Sequence, residues 1–286
     1  GDADGRVSVT TLSTYRPIVF WQAHQGAVLR ADAWSGYLVT HGRDHSLRVW
    51  KMPDELGSVA LSSSMAKNLP LPTMLHEMGV NALNYCAYDM CIRNEDTPTL
   101  DGWLVIPNTL ESGWIDLYHV PSQQRIIESL GRQADIRSGT ERPAIVMALQ
   151  ICILRDILWI VAGYEDGVLQ AWTIPVSTME PTLVWTHKSH AESIMALSMS
   201  PTCDSVLSLG ADYNIVRTAL HQEAVPHVQR IKRPGHACAS VRWDERVCVL
   251  GGWDACARVF TWPSLEPLAK LAYHKDSIYA LSFVRH

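Results

Sequence analysis

The amino-acid sequence predicts an all-β propeller, a ring of small antiparallel sheets with four strands each, and three observations support this prediction. A short motif recurs along the chain. The segments between its copies contain short alternating or wholly apolar runs bounded by turn residues, and helical periodicity over a dozen residues is hard to find. Because a repeat of roughly 40 residues is typical of propeller blades, we expect a single domain over residues 1–286.

The recurring motif is a glycine, a short turn, an aspartate and an alternating stretch that ends six positions later. Five copies read GDADGRVSVT, GRDHSLRVW, GYEDGVLQAW, GADYNIVRT and GWDACARVF, and a degenerate copy, ESGWIDLYHV, has serine in place of the aspartate. The anchors are positions 4, 44, 112, 166, 212 and 254, so the gaps are 40, 68, 54, 46 and 42 residues. The longer gaps predict insertion loops near 53–73, 94–102 and 129–143, where the residues are polar or rich in Ser, Pro and Gly.

Both ends of the sequence bear on the number of blades. Residues 1–23 provide only the last two strands of a blade, and the segment 274–281 reads as the innermost strand of another. Six anchors and one unfinished blade predict seven blades of four strands, with incomplete chain ends. Closure of the first blade by the final strand would instead give six.

The composition of the chain excludes several classes of protein. With 47% hydrophobic and 19% charged residues among 286, it can bury a sizeable core, and its net charge of -5 disfavours a general polyanion binder. Its longest apolar runs are far shorter than the roughly 20 residues of a membrane span. Seven cysteines, an odd number and without a Cys-x-x-Cys pair, predict reduced thiols in an intracellular protein and no zinc site. No cofactor and no small-molecule substrate are expected.

The second motif copy resembles the WD40 family, whose blades carry a tetrad of histidine, serine or threonine, aspartate and tryptophan. The matching residues are His24, Thr40, Asp44 and Trp50. The resemblance implies that Asp44 accepts hydrogen bonds from His24 and a turn amide, while the Thr40 hydroxyl bridges His24 to the Trp50 indole. Because an unpaired buried carboxylate is costly, we expect this set to stabilise a blade, and a buried hydroxyl is poorly placed to be a catalytic nucleophile.

Three other copies match the tetrad in part. One has the histidine, hydroxyl and aspartate but a threonine in place of tryptophan, and one has only the histidine and aspartate. The third has the aspartate and tryptophan and lacks a convincing histidine. The matching residues are, in the same order, His190, Ser208 and Asp212; His236 and Asp254; and Asp166 and Trp172.

The residue that precedes the motif aspartate is a candidate for partner binding. In WD40 proteins this position lies in a loop on the narrower face of the propeller, where partners commonly bind. Here it is occupied by Arg43, Glu165 and Trp253 in three of the copies. Arginine and tryptophan are frequent anchors of protein interfaces. The alternative for Trp253 is that it packs against the adjacent turn.

Longer strings resemble one WD40 subgroup, the fungal ASTRA-associated WD-repeat proteins and their animal counterparts, the G-protein β-subunit-like proteins. These strings are GDADGRV, WQAH, THGRDH with LRVW, and GGWD. Residues 51–142 match only as a propeller. The resemblance implies a non-catalytic nuclear scaffold of the ASTRA assembly, with a cytoplasmic pool as a second expectation. It also implies association with the TTT co-chaperone complex, which helps phosphatidylinositol-3-kinase-related kinases to mature, and a link to chromatin remodelling.

Two alternatives remain open at the level of the sequence. The chain could be a different WD40 adaptor, such as a ubiquitin-ligase substrate receptor or a histone reader. It could also be a propeller enzyme, which would need a polar channel lined with converging ionised groups. The 29 acidic residues are dispersed, which disfavours the enzyme. Fold alone does not distinguish among these functions.

Overall fold

The computed structural model describes residues 1–34, 36–54, 69–93, 101–132, 143–221 and 225–284. Within these ranges, 22 strands form five antiparallel sheets of four strands and one sheet of two strands. The predicted all-β propeller is confirmed. The predicted number of seven blades is wrong, because the described residues form five complete blades.

The strands follow one another in chain order within each sheet. The two-stranded sheet consists of β1 (Arg6–Thr10) and β2 (Pro17–Gln22). Blade 1 is β3 (Val28–Trp34), β4 (Tyr37–Gly42), β5 (Ser46–Lys51) and β6 (Thr73–Gly79). Blade 2 is β7 (Asp89–Ile92), β8 (Gly102–Pro107), β9 (Ile115–Val120) and β10 (Gln124–Leu130). Blade 3 is β11 (Val146–Leu154), β12 (Ile157–Tyr164), β13 (Val168–Pro175) and β14 (Thr182–Lys188). Blade 4 is β15 (Ile194–Met199), β16 (Ser205–Gly210), β17 (Asn214–Ala219) and β18 (His227–Arg230), and blade 5 is β19 (His236–Val241), β20 (Val247–Gly252), β21 (Ala257–Thr261) and β22 (Pro267–Leu271).

The blade count differs from the prediction at both ends of the sequence. The anchor at Asp4 belongs to the two-stranded sheet, and residues 272–284 contain no strand. That last segment still contacts blade 5, because the Ile278 N–H donates to the Gly252 carbonyl at 3.2 Å and the Cys238 thiol donates to the Ile278 carbonyl at 3.2 Å. These isolated hydrogen bonds do not form the repeated ladder that defines a strand pair, and no such ladder joins this segment to the other described residues.

Apolar side chains pack between adjacent blades, so the protein has several inter-blade cores. The core between blades 2 and 3 contains Val105 and Leu117 on one side and Leu158 and Ile160 on the other, each 0% exposed. Full burial of such a side chain stabilises the fold by roughly 1.5–3 kcal/mol. The middle strands are therefore apolar on both faces, which explains why β12 reads as a continuous hydrophobic run.

A repeated hydrogen bond joins the innermost strands of neighbouring blades. In each case a side chain on one inner strand accepts from a backbone N–H on the next. The pairs are Ile151 to Asp89 at 2.7 Å, Met199 to Gln150 at 2.9 Å, and Val241 to Ser198 at 3.1 Å. Arg30 extends the series to blade 1 through an ion pair with Asp89 at 2.6 Å. These contacts hold successive blades in register around the ring.

The predicted insertion loops fall mostly outside the described residues. This applies to positions 55–68, 94–100 and 133–142. At their described ends, β6 begins at Thr73, β8 begins at Gly102, and Ser129 and Leu130 are the last residues of β10. The extent of the loops stays a prediction. No helix in the described ranges has the length and apolar character that a membrane span requires.

Candidate interaction surface

The structure brings His24, Thr40, Asp44 and Trp50 together inside blade 1. The Trp50 indole N–H donates to the Thr40 hydroxyl oxygen at 2.9 Å, and this hydroxyl lies 2.8 Å from His24 Nε2. The other ring nitrogen, Nδ1, lies 2.9 Å from Asp44 Oδ1. A neutral imidazole with its hydrogen on Nδ1 satisfies every partner, because Thr40 can then donate to Nε2. The Thr40 hydroxyl is 0% exposed and has no access to a substrate.

The Asp44 carboxylate is the most heavily bonded member of this group. It accepts hydrogen bonds from the Gln25 amide at 2.9 Å and the Ser46 hydroxyl at 2.8 Å, in addition to His24. Burial alone would raise the pKa of Asp44, but these hydrogen bonds outweigh it and lower the pKa to about 2. Burial lowers the pKa of His24, against the opposing effect of Asp44. At neutral pH the pair is therefore a carboxylate and a neutral imidazole.

Blade 4 contains a three-membered version of the same network. His190 Nε2 lies 2.9 Å from the Ser208 hydroxyl, and Nδ1 lies 3.0 Å from Asp212. Asp212 also accepts from the Ala191 amide at 2.9 Å. Thr218, at the tryptophan position, is fully buried, and no partner for its hydroxyl lies among the described residues.

In blade 5 the corresponding histidine and aspartate are not bonded to each other. Asp254 pairs with Arg258, at 2.9 and 2.5 Å. Asp44 of blade 1 makes the equivalent pair with Arg48, at 3.2 Å, in addition to its bond with His24. His236 is 1% exposed, and neither of its ring nitrogens has a hydrogen-bond partner among the described residues. Leu250 occupies the hydroxyl position, so nothing there can bond to Nε2. Burial, reinforced by the charge of Arg258, lowers the pKa of His236 to about 4.

Asp166 and Trp172 do not meet in blade 3. Asp166 is exposed, and its carboxylate accepts the Val168 amide of its own turn, at 3.0 Å, and no other donor within the described residues. Trp172 is 3% exposed and packs in the core between blades 2 and 3. Blade 3 lacks the tetrad histidine, so within the described residues the Asp166 carboxylate has no buried hydrogen-bond partner.

Blade 2 replaces the tetrad with a network of amides and a different aspartate. Asp116 is 0% exposed and accepts from Asn108 Nδ2 and the Ser129 amide, both at 2.9 Å. Ser112, the anchor of the degenerate motif copy, accepts from Asn81 Nδ2 at 3.2 Å and takes no part in a tetrad. The motif search missed Asn81, Asn108 and Asp116, and the gap of 68 residues before Ser112 was the available signal that this blade differs.

The three candidate partner-binding residues lie on one face of the propeller. We call it the upper face, the edge of each blade with the turn between its second and third strands. Arg43 is exposed, and its guanidinium lies 4.4 Å from the centre of the Tyr85 ring. Trp253 is 43% exposed, and its ring covers Gly235, where an added Cβ would lie 2.1 Å from the indole. Glu165 differs, because its carboxylate accepts the Ile145 amide of its own blade at 3.1 Å. The partner-binding role of all three stays a prediction.

The described residues contain neither a metal-ligand cluster nor a polar pocket. No group of three or more His, Cys, Asp or Glu side chains in them is placed to hold a metal ion. A small apolar cleft lies between blades 1 and 2, lined mainly by Leu47, Val49, Met78, Leu104 and Tyr118. These side chains offer no set of converging ionised groups.

The sequence is similar to several known proteins, although no family model matches it. ASTRA-associated protein 1 of Verticillium alfalfae is 32% identical over 305 residues, which cover 99% of this chain and 72% of that protein. The Schizosaccharomyces pombe protein of the same name is 26% identical, covering 99% and 86%. Guanine nucleotide-binding protein subunit beta-like protein 1 of Mus musculus is 24% identical, covering 99% and 80%.

Among solved structures, the computationally designed protein Ika8 is similar with a TM-score of 0.59 and 16% identity, covering 100% of this chain and 74% of that one. This likeness concerns the fold alone. The sequence relatives reach further, because the identity to the Verticillium protein extends over nearly all of the chain. Together with the propeller of WD40-like blades, it shows that the chain belongs to the ASTRA-associated protein 1 family.

Proposed function

We propose that this protein is a non-catalytic scaffold of the ASTRA assembly and that it binds the TTT co-chaperone complex. Through TTT it would support the maturation of phosphatidylinositol-3-kinase-related kinases, and through ASTRA it would be linked to chromatin remodelling. The observation that carries the proposal is family membership over 99% of the chain, since the relatives are named for their association with ASTRA. In keeping with this role, we propose that the protein acts in the nucleus, with a cytoplasmic pool as the second expectation.

The site geometry supports a scaffold more than an enzyme. The triad-like sets of histidine, hydroxyl and aspartate lie inside the blades and stabilise them, because Thr40 and Ser208 are both 0% exposed and cannot reach a substrate. Exposed side chains suited to protein contacts lie on the upper face, including Arg43 and Trp253. Apolar cores between successive blades, from the two-stranded sheet to blade 5, provide a packed platform for such contacts.

Affinity purification followed by mass spectrometry tests the proposal. The tagged chain should recover the TTT subunits after stringent washing, and an equally expressed unrelated propeller should not. Failure to recover TTT would reject the assignment. Recovery of a cullin adaptor instead, or tight binding to histone peptides, would favour the other WD40 adaptor functions. Imaging of the tagged chain tests the nuclear proposal, which exclusion from the nucleus would contradict.

A further inference from the structure

Two loops on the upper face of blade 2 are longer than most of their counterparts, although the connection from β10 to β11, residues 131–145, is longer still. The connection from β6 to β7, residues 80–88, has nine residues, whereas the connections at 23–27, 189–193 and 231–235 have five. The turn from β8 to β9, residues 108–114, has seven residues, against three at 43–45, 165–167 and 211–213 and four at 253–256. Both loops lie at the same edge, because alternate strands of an antiparallel sheet end on the same side.

The extra length carries apolar side chains into solvent. Leu83 in the first loop is 88% exposed, and Leu110 in the second is 90% exposed. Tyr85, two residues after Leu83 in the first loop, is 50% exposed. We call Leu83, Tyr85 and Leu110, together with Arg43 and Arg132 at their flanks, the double-loop surface. Exposed apolar residues gathered on adjoining loops indicate a contact surface more strongly than scattered ones do.

Hydrogen bonds hold both loops in a defined shape. Asn81 Oδ1 accepts the Leu83 amide at 2.8 Å, and Asn108 Oδ1 accepts the Leu110 amide at 2.9 Å. Asn81 Nδ2 donates to the Asn108 carbonyl at 2.6 Å and so ties one loop to the other. The leucines are therefore presented on ordered backbone, and binding through them would require little further ordering.

The flanking charges indicate which kind of partner fits. Arg43 stacks on Tyr85 at 4.4 Å, and the Arg132 guanidinium lies 5.2 Å from the centre of the Trp114 ring. Neither arginine lies within ion-pair distance of a carboxylate in the described part of the chain. The acidic residue on these loops is Glu111, so two cations flank one carboxylate. A guanidinium stacked on a ring keeps its N–H edge free to bind a carboxylate in bidentate geometry.

We propose that the double-loop surface binds an acidic segment of a protein partner that also carries bulky apolar side chains. The apolar side chains would pack on Leu83, Tyr85 and Leu110, and the carboxylates would pair with Arg43 and Arg132. This inference rests on the proposed scaffold function and adds the location and chemistry of the contact.

A matched pair of peptides tests the chemistry directly. The probe is a fluorescein-labelled peptide of three Asp-Leu-Glu-Phe repeats, and its counterpart has Asn and Gln in place of Asp and Glu. In anisotropy titrations the acidic peptide should bind at least about tenfold more tightly than the amide peptide. Its binding should also weaken as salt rises from about 50 to about 500 mM. Equal affinity for the two peptides would overturn the proposal.

Variants locate the contact. Leu83→Asp combined with Leu110→Asp should weaken binding of the acidic peptide at least about tenfold, and Arg43→Glu combined with Arg132→Glu should do the same. The control makes the leucine change on β22, Leu268→Asp with Leu271→Asp, where the side chains are 55% and 54% exposed. This control should bind as the wild type does. Circular dichroism and thermal unfolding show that each variant is folded, as expected from the exposure of the leucines.

A titration with purified TTT complex separates this proposal from the proposed function. If TTT binds the wild type and the β22 control but not the Leu83/Leu110 variant, both proposals are supported. If TTT binds all three proteins equally, the double-loop surface is rejected as its contact and the scaffold function stands. If TTT binds none of them while the acidic peptide still distinguishes the variants, the TTT assignment fails and the acidic-segment site stands.

Discussion

Blades 1 and 5 carry a histidine and an aspartate at equivalent motif positions and use them differently. In blade 1, His24 and Asp44 lie 2.9 Å apart in a network that also includes Thr40 and Trp50. In blade 5, Asp254 pairs with Arg258, and His236 has no hydrogen-bond partner among the described residues. The blades also differ at the hydroxyl position, which is Thr40 in one blade and Leu250 in the other, so His236 lacks a partner for Nε2 as well as for Nδ1. The presence of the motif histidine and aspartate therefore does not by itself show that the two side chains are bonded.

Replacement of the motif aspartate should give the largest difference in stability loss between blade 1 and blade 5. Asp44→Ala leaves His24, Ser46 and the Gln25 amide without their acceptor, so we expect a loss of about 4 kcal/mol in the free energy of unfolding. Asp254→Ala removes a more exposed ion pair and should cost less than about 1 kcal/mol. Urea unfolding of both variants measures the difference. Equal losses would show that the blade 1 network has no special role in stability.

Acidification should test the buried histidine of blade 5. The pKa of His236 is lowered to about 4 in the folded protein, against about 6.5 in the unfolded chain. Below pH 6.5 the unfolded state therefore binds a proton at this histidine, whereas the folded state does not until the pH nears 4. The free energy of unfolding thus decreases as pH falls from 6.5 towards 4. The expected loss from this group is about 3 kcal/mol, because each pKa unit corresponds to about 1.4 kcal/mol.

The readout for this prediction is the difference between wild type and His236→Gln, followed from pH 7 to pH 4 by urea unfolding. A difference is needed because burial raises the pKa of Asp89 to about 6, although Arg30 opposes the shift, and this carboxyl stabilises the folded state as pH falls over the same range. The glutamine variant should be less sensitive to acid than the wild type. Parallel curves for the two proteins would contradict a neutral buried His236.

Loss of the bridging hydroxyl should give the smallest difference in the free energy of unfolding, here between variants of blade 1 and blade 4. Thr40→Val removes the partner of both the Trp50 indole and His24 Nε2, for an expected loss of about 2 kcal/mol. Ser208→Ala removes the partner of His190 Nε2 and a longer hydrogen bond to the Val216 carbonyl, at 3.4 Å, and should cost about 1 kcal/mol. Denaturant midpoints of the two variants measure the contrast. A larger loss for Ser208→Ala would show that the tryptophan adds nothing to the blade 1 network.

The pattern of the sequence was sufficient to predict the propeller and the WD40 resemblance, both of which are confirmed. It also placed His24, Thr40, Asp44 and Trp50 in one tetrad, and the structure brings their side chains within hydrogen-bond distance. This geometry has a local cause. The motif spacing corresponds to a turn of three residues between paired strands, and paired strands bring residues at fixed separations together.

Other features depended on contacts that no local spacing encodes. The predicted number of blades was wrong, because a motif copy marks a turn between two strands and does not show that four strands pair around it. Blade 2 differed because its turn is four residues longer, which moved Ser112 out of the tetrad position and raised Leu110 into solvent. In blade 5, the sequence showed that Leu250 lacks a hydroxyl but not that His236 and Asp254 would stay unbonded to each other.

The sequence by itself determined the fold class, the family and the turns where each blade's polar residues stand, because these follow from repeat length, alternation and short spacings. Only the tertiary structure decided how many sheets are complete, which aspartates are buried with a partner, and which loops bring Leu83 and Leu110 to one surface. Those outcomes depend on contacts between residues far apart in the chain, such as strands that pair in one sheet or loops that meet at the same edge of a blade. Such contacts form only when the blades are packed together.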